Sequence, residues 1–155
     1  MTTKIIGCGN LVGGDDGIGV LVVREMNKTL LPPGVEAIEG GTDPLRLLEH
    51  LRNTNKVILV DAITGAGNPG DVYVLSPDDQ IDTEPGEKLS LHQFSLTQVL
   101  ELGNILFPRE MPQKILIVGI EAEKIEPFQT YISPAVAKAI PKAITVICKL
   151  CQSDF

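Results

Sequence analysis

No apolar run in this chain of 155 residues is longer than a strand, and Lys4 near its start is followed by neither an apolar h-region nor a small-residue cleavage site. A membrane span needs about 20 consecutive apolar residues, and a secretory signal needs both of those missing features, so neither is expected and the cytoplasm is the expected location. Positive charge is also short. Thirteen Lys and Arg against twenty Asp and Glu leave a formal charge of −7, which argues against nucleic acid or an anionic membrane as the main partner, since both require a basic face. A cationic or metal-bearing partner suits this balance. Three cysteines are an odd number and make no disulfide framework. Cys148 and Cys151 form a C-x-x-C, but at the end of the last helical segment, where core packing or a surface thiol pair explains them better than thioredoxin-type chemistry. Cys8 reads as a small buried residue. Internal repeats and low-complexity tracts are absent.

Several catalytic motifs are missing as well. No G-x-S-x-G elbow exists, and neither of the two histidines has a Cys or Ser at a recognisable spacing, which removes the usual nucleophile-base arrangements. With 43% apolar and 21% charged residues the composition is that of an ordinary globular protein. Residues 1–155 are expected to form a single domain, long enough to bury roughly 68–70% of its unfolded surface without staples.

The stretch from Gly7 to Gly19 organises the rest. It reads Gly-Cys-Gly-Asn-Leu-Val-Gly-Gly-Asp-Asp-Gly-Ile-Gly, lies between the apolar pair Ile5-Ile6 and an amphipathic pattern from Ile18 to Leu31, and so marks a strand-to-helix turn. A dinucleotide fingerprint requires G-x-G-x-x-G, but Val12 stands at its sixth position and Gly13 arrives one residue late. No Gly-Lys-Ser/Thr follows, so a Walker A loop fails too. Asp15 and Asp16 at the mouth of the turn would repel a pyrophosphate, and the loop suits a cation. One of the two aspartates is expected to cap the helix that starts near Gly17, leaving the other carboxylate for chemistry.

Along the chain, Lys4-Ile5-Ile6 predicts a first strand, and Ile18, Leu21, Val22, Met26 and Leu30 predict one apolar helix face. Pro32-Pro33-Gly34 stops that helix. Val35 to Glu39 predicts a second strand ended by Gly40-Gly41, and Thr42 or Asp43 can cap a helix with Pro44 at its first position and a core stripe of Leu45, Leu47, Leu48 and Leu51. Lys56 to Asp61 is the clearest strand, a continuous β-branched and leucine run with Asp61 at its carboxyl end. Ile63 to Asp71 is a glycine-rich loop, Val72 to Leu75 a short edge strand, and the polar stretch from Ser76 to Lys88 an exposed, mobile loop. Leu89 to Gln93 leads into a helix from Phe94 to Leu102 with Leu96, Val99 and Leu100 inward. Lys114 to Ile120 is a last buried strand, followed by an acidic turn with Glu121, Glu123 and Glu126. Pro134 to Leu150 is helical, and Pro141 should kink or divide it. Alternating strands and helices with short connections predict an α/β fold, a three-layer αβα domain with a twisted, mostly parallel sheet of about five strands.

In such a sheet ligands bind beyond the carboxyl ends of the strands. Asp15, Asp16, Glu39, Asp61 and Glu121 all map there, and His92 lies in a loop able to lean over the same edge. His50, in the second helix, reads as a surface residue. Two carboxylates and an imidazole make an incomplete shell for a borderline divalent metal. Asp16 and His92 are expected on solvated loops, and Asp61 at the end of the most buried strand.

Taken in order, Gly7-Cys8-Gly9-Asn10, Gly14-Asp15-Asp16-Gly17-Ile18-Gly19, Glu39-Gly40-Gly41-Thr42, Val60-Asp61-Ala62, His92-Gln93 and Val118-Gly119-Ile120 resemble the hydrogenase maturation endopeptidases, which trim the C-terminal extension of the large subunit of nickel-iron hydrogenases. The resemblance spans essentially the whole chain, with Asp16 where some relatives carry a glutamate. It implies an aspartyl-type, nickel-dependent endopeptidase acting on a hydrogenase large-subunit precursor. It further implies that Asp16, Asp61 and His92 are metal ligands and that the nickel is carried by the substrate, other divalent metals substituting for it in isolation. Asp16 and Asp61 are the candidate catalytic carboxylates, and Glu39, Gly40, Gly41 and Thr42 the candidate substrate-binding segment. The metal can serve as a Lewis acid or a source of hydroxide, or it can only fix the substrate while Asp16 activates water. The alternatives are a non-catalytic metal-recognising maturation chaperone and a nucleotide-binding α/β domain.

Overall fold

The computed structural model describes residues 1–79 and 96–153. His92, the lead-in from Leu89 to Phe94 and most of the polar stretch between Ser76 and Lys88 lie outside them. The elements run β1 (Thr3–Cys8), a 3-10 turn (Asp15–Gly17), α1 (Ile18–Met26), β2 (Val35–Gly41), α2 (Pro44–Leu51), β3 (Lys56–Ile63), β4 (Val72–Leu75), α3 (Leu96–Leu106), β5 (Lys114–Glu121), α4 (Pro134–Ala137) and α5 (Ile140–Gln152). One sheet has the order β2-β1-β3-β5-β4. Its first four strands are parallel, with Ile5 opposite Ala37 on one side and Ile58 on the other, and β4 joins antiparallel with Val72 opposite Ile120. The expected five-stranded, mostly parallel α/β sheet is the observed one.

Side chains alternate across a strand, and the two core clusters follow that alternation. Ile5, Ile58, Val60, Val118 and Ile120 pack with α1, α4 and α5 on one face. Ile6, Val57, Leu59 and Ile117 pack with α2 and α3 on the other. Every residue of β3 is buried, which explains its unbroken apolar run, and each fully buried Val or Ile contributes about 1.5–3 kcal/mol.

Helix ends follow local chemistry, with some departures from the sequence reading. Asp43 caps α2, accepting hydrogen bonds from the amides of Leu45 and Arg46, with Pro44 in the first turn. Pro141 divides the last helical segment, standing in the first turn of α5. However, α1 ends at Met26, where the Thr29 hydroxyl donates to the Met26 carbonyl at 2.9 Å, so Leu30 lies beyond the apolar face and is 99% exposed. Leu45 is also exposed, because it stands two residues, or about 200° of helix, from Leu47. Strand β3 runs two residues past Asp61, and β2 takes in Gly40 and Gly41 through an irregularity that sets Cys8 opposite Gly41. No helix among the described residues is long and apolar enough to cross a membrane.

Candidate active site

Chain connections leave β1 and β3 in opposite directions, β1 leading through α1 to β2 and β3 leading toward β4 and β5. The carboxyl ends of these two neighbours therefore form the topological switch point, where an open α/β sheet has its crevice. The glycine turn follows β1 at this point. A Cβ on Gly19 would strike the backbone carbonyls of both Val60 and Cys8, so glycine here lets the start of α1 press onto β1 and β3 together. That contact carries the turn holding Asp15 and Asp16 over the strand ends.

The two aspartates have different roles, and neither caps a helix: the 3-10 turn and α1 both start without a side-chain cap. Asp15 is fully buried and binds across to the segment after β5. It accepts hydrogen bonds from the amides of Glu123 (2.9 Å), Lys124 (2.8 Å) and Ser133 (2.7 Å) and from the Ser133 hydroxyl (2.8 Å). Burial pushes its carboxyl up, but these donors from Ser133, Lys124 and Glu123 outweigh that and hold it below the usual aspartate value. The expected helix cap is in fact a staple between two loops.

Asp16 is 2% exposed, and its Oδ2 accepts a hydrogen bond from the Asn10 amide at 3.0 Å. It does not stand on the expected solvated loop: Gly13 packs against its side chain, where a Cβ would lie 3.1 Å from Asp16 Cβ. Asp61, 3% exposed, is oriented by the Ala62 amide, which donates to its Oδ1 at 2.9 Å. Both carboxylates act on the buried Cys8 thiol, which is pushed well up by burial first, then by Asp61 and Asp16. Two buried carboxylates thus converge at the switch point, a hard oxygen donor pair suited to a divalent cation. His92 lies outside the described residues, and among those described no group of three His, Cys, Asp or Glu side chains is arranged around a metal position.

The Glu39-Gly40-Gly41-Thr42 segment lies one strand away, the Gly41 carbonyl accepting from the Gly9 amide at 2.9 Å. Glu39 is half-exposed and engaged by Arg24 of α1, whose Nη2 lies 2.9 Å from its Oε1. A Cβ on Gly40 would meet Ile6 Cγ2 at 2.5 Å, so packing within the sheet demands that glycine. Gly41, at φ 64°, faces open space, and Thr42 is exposed. Glu121 does not join an acidic rim. It is buried and accepts from the amides of Gly65 (2.9 Å) and Ala66 (3.3 Å), closing the loop after β3. Nothing in the sequence signals the Asp15 or Glu121 contacts, because their partners lie more than 50 residues away.

An open αβα sheet with paired carboxylates at its switch point defines a doubly wound α/β protein with a polar, cation-compatible crevice. The model of the family described as hydrogenase maturation protease matches residues 20–150. The hydrogenase 2 maturation protease of Escherichia coli strain K12 is 33% identical over 146 residues, covering 93% of this chain and 87% of that protein. Among solved structures, an endopeptidase from Escherichia coli superposes with a TM-score of 0.81 at 30% identity, over 99% of this chain and 94% of the other. The hydrogenase maturating endopeptidase HybD of the same organism superposes with a TM-score of 0.75 at 28% identity, over the same shares. The chain belongs to the hydrogenase maturation protease family. It is accordingly an endopeptidase, which removes the chaperone and nucleotide-binding alternatives.

Proposed function

We propose that this protein removes the C-terminal extension of a nickel-loaded [NiFe] hydrogenase large-subunit precursor, acting in the cytoplasm as one domain. The observation that carries this reading is the pair of buried carboxylates, Asp16 and Asp61, at the switch point between β1 and β3. With His92 they would hold the nickel that the precursor brings, each aspartate oriented by a backbone amide, from Asn10 and Ala62 respectively. A carboxylate so fixed loses little freedom on engaging a cation, which favours one geometry of the bound substrate.

The open space beside Gly41 and the exposed Thr42 would admit an extended stretch of substrate along the end of β2. Hydrolysis then needs a water held against the scissile carbonyl. Asp16 takes its proton as the oxygen bonds to carbon and passes it to the amine nitrogen as the C–N bond breaks. A divalent ion held by Asp16, Asp61 and His92 would supply charge stabilisation as the peptide bond is attacked. Incubation with purified precursor, followed by mass spectrometry, tests the reading. A single released C-terminal peptide is expected, and intact precursor in every candidate tried would contradict it.

A further inference from the structure

Four apolar side chains stand exposed beside the acidic turn: Val12 at 48%, Ile125 at 44%, Phe128 at 91% and Tyr131 at 67%. They belong to two segments far apart in sequence but joined by backbone bonding. The Gln129 amide donates to the Val12 carbonyl at 3.2 Å, Glu126 to Gly13 at 3.3 Å, Gly14 to Gln129 at 2.9 Å and Asp15 to Lys124 at 3.0 Å. The Asp15 carboxylate adds its bonds to Glu123, Lys124 and Ser133. The rim is therefore one rigid piece with the turn that carries Asp16.

Phe128 is the anomaly within it. It sits at φ 62°, a conformation that bulky residues rarely adopt, and its ring is almost wholly in water. So exposed a ring adds little to the core. Strained backbone and unpartnered aromatic surface coincide at sites that bind something, and aromatic side chains are the commonest anchors of protein interfaces.

We propose that Val12, Ile125, Phe128 and Tyr131 form the docking surface for the folded part of the precursor, an apolar protein face next to its C-terminal extension. This inference rests on the function proposed above and adds where the substrate is gripped. The rim is continuous with the loop bearing Asp16, so a partner seated on it lies beside the two carboxylates. The net charge of −7 makes an anionic membrane a poor occupant. A surface that grips the folded part of the precursor holds it equally in the ground and transition states, so loss of the rim should weaken substrate capture without slowing the bound complex.

The test is steady-state peptide release by the wild type, the double variant Phe128→Ala/Tyr131→Ala and Phe128→Gly, the last of which suits φ 62° and removes the ring without strain. KM should rise about tenfold or more in the double variant and clearly in Phe128→Gly, with kcat unchanged and the melts those of the wild type. Leu30→Ala, equally exposed but remote, should change neither constant. An unchanged KM in both rim variants, with the wild type cleaving, overturns the docking surface and leaves the proposed function standing. Loss of a concentration-dependent dimer at unchanged KM assigns the rim to a second copy and overturns it as well. A wild type that releases no peptide from any precursor fails the parent reading and this one together.

Discussion

Asp15 and Ser133, 118 residues apart in the chain, meet through two hydrogen bonds, from the serine amide at 2.7 Å and from its hydroxyl at 2.8 Å. Together with the amides of Glu123 and Lys124 they make one carboxylate the clasp between the glycine turn and the segment after β5. The clasp also fixes the turn that carries Asp16, so under the function proposed above the two adjacent aspartates would divide structure and chemistry between them.

Asp15→Ala should therefore act on stability first. Four donors lose a charged acceptor, three of them backbone amides, and the expected cost is about 3 kcal/mol. For a chain of this size that lowers Tm by roughly 6–12 °C. Thermal melts measure it directly, and a melt within a degree of wild type would show that the clasp is dispensable.

Asp16→Asn and Asp61→Asn should behave in the opposite way. Both carboxylates are buried and each accepts from a backbone amide, a bond that the oxygen of the isosteric side-chain amide can keep. We expect Tm near that of wild type, and peptide release reduced at least about a hundredfold. A melt beside a cleavage assay is the measurement, and normal turnover by either variant removes that residue from the site.

The chain's arrangement was legible in sequence wherever a residue's role depends on its near neighbours. The β-branched run of β3, the cap at Asp43 and the division at Pro141 each carry their cause within a few positions. Leu30 was misread because periodicity continues on paper past Met26, where the turn around Thr29 ends the helix. The expectation that Asp15 or Asp16 caps the helix fails because a short-range cap and a long-range clasp place the same residue type at the same position. The convergence of Asp16 and Asp61 was legible only through topology, since carboxyl ends of adjacent parallel strands lie on one edge.

Gly41 and Gly40 should respond differently to substitution by alanine. Gly41 has room for a side chain but sits at φ 64°, so Gly41→Ala should cost about 1–2 kcal/mol and raise KM if substrate runs along this edge. Gly40→Ala drives a methyl into Ile6, and overpacking of that kind costs about 1–3 kcal/mol. Denaturant unfolding combined with KM measurement separates the two, and an unchanged KM in Gly41→Ala would detach the strand end from substrate.

His50 predicts a pH effect. Burial lowers its pKa first, then the charges of Lys4 on β1 and Arg46 on α2, against smaller opposing effects of Glu36 on β2 and Glu49 on α2. Its Nε2 is buried without a hydrogen-bond partner among the described residues. With the folded value below the reference 6.5, the unfolded chain takes up the proton first. The stability held by neutral His50 is complete above about pH 6.5 and is lost as pH falls from there through the folded value. Urea unfolding from about pH 7 to about pH 5 should show a flatter dependence in His50→Gln than in wild type. Parallel curves would mean that His50 titrates alike in both states.

The central claim is that the carboxylates of Asp16 and Asp61 serve a nickel ion brought by the substrate, and peptide release from precursor prepared with and without nickel tests it most directly. Two carboxylates and one imidazole fill only part of a roughly four- to six-position shell, so the site should bind metal weakly until the precursor's own ligands complete it. With chelator present to remove adventitious metal, we expect the nickel-loaded precursor to be cleaved and the metal-free form to remain intact. Equal rates on both forms would contradict the account.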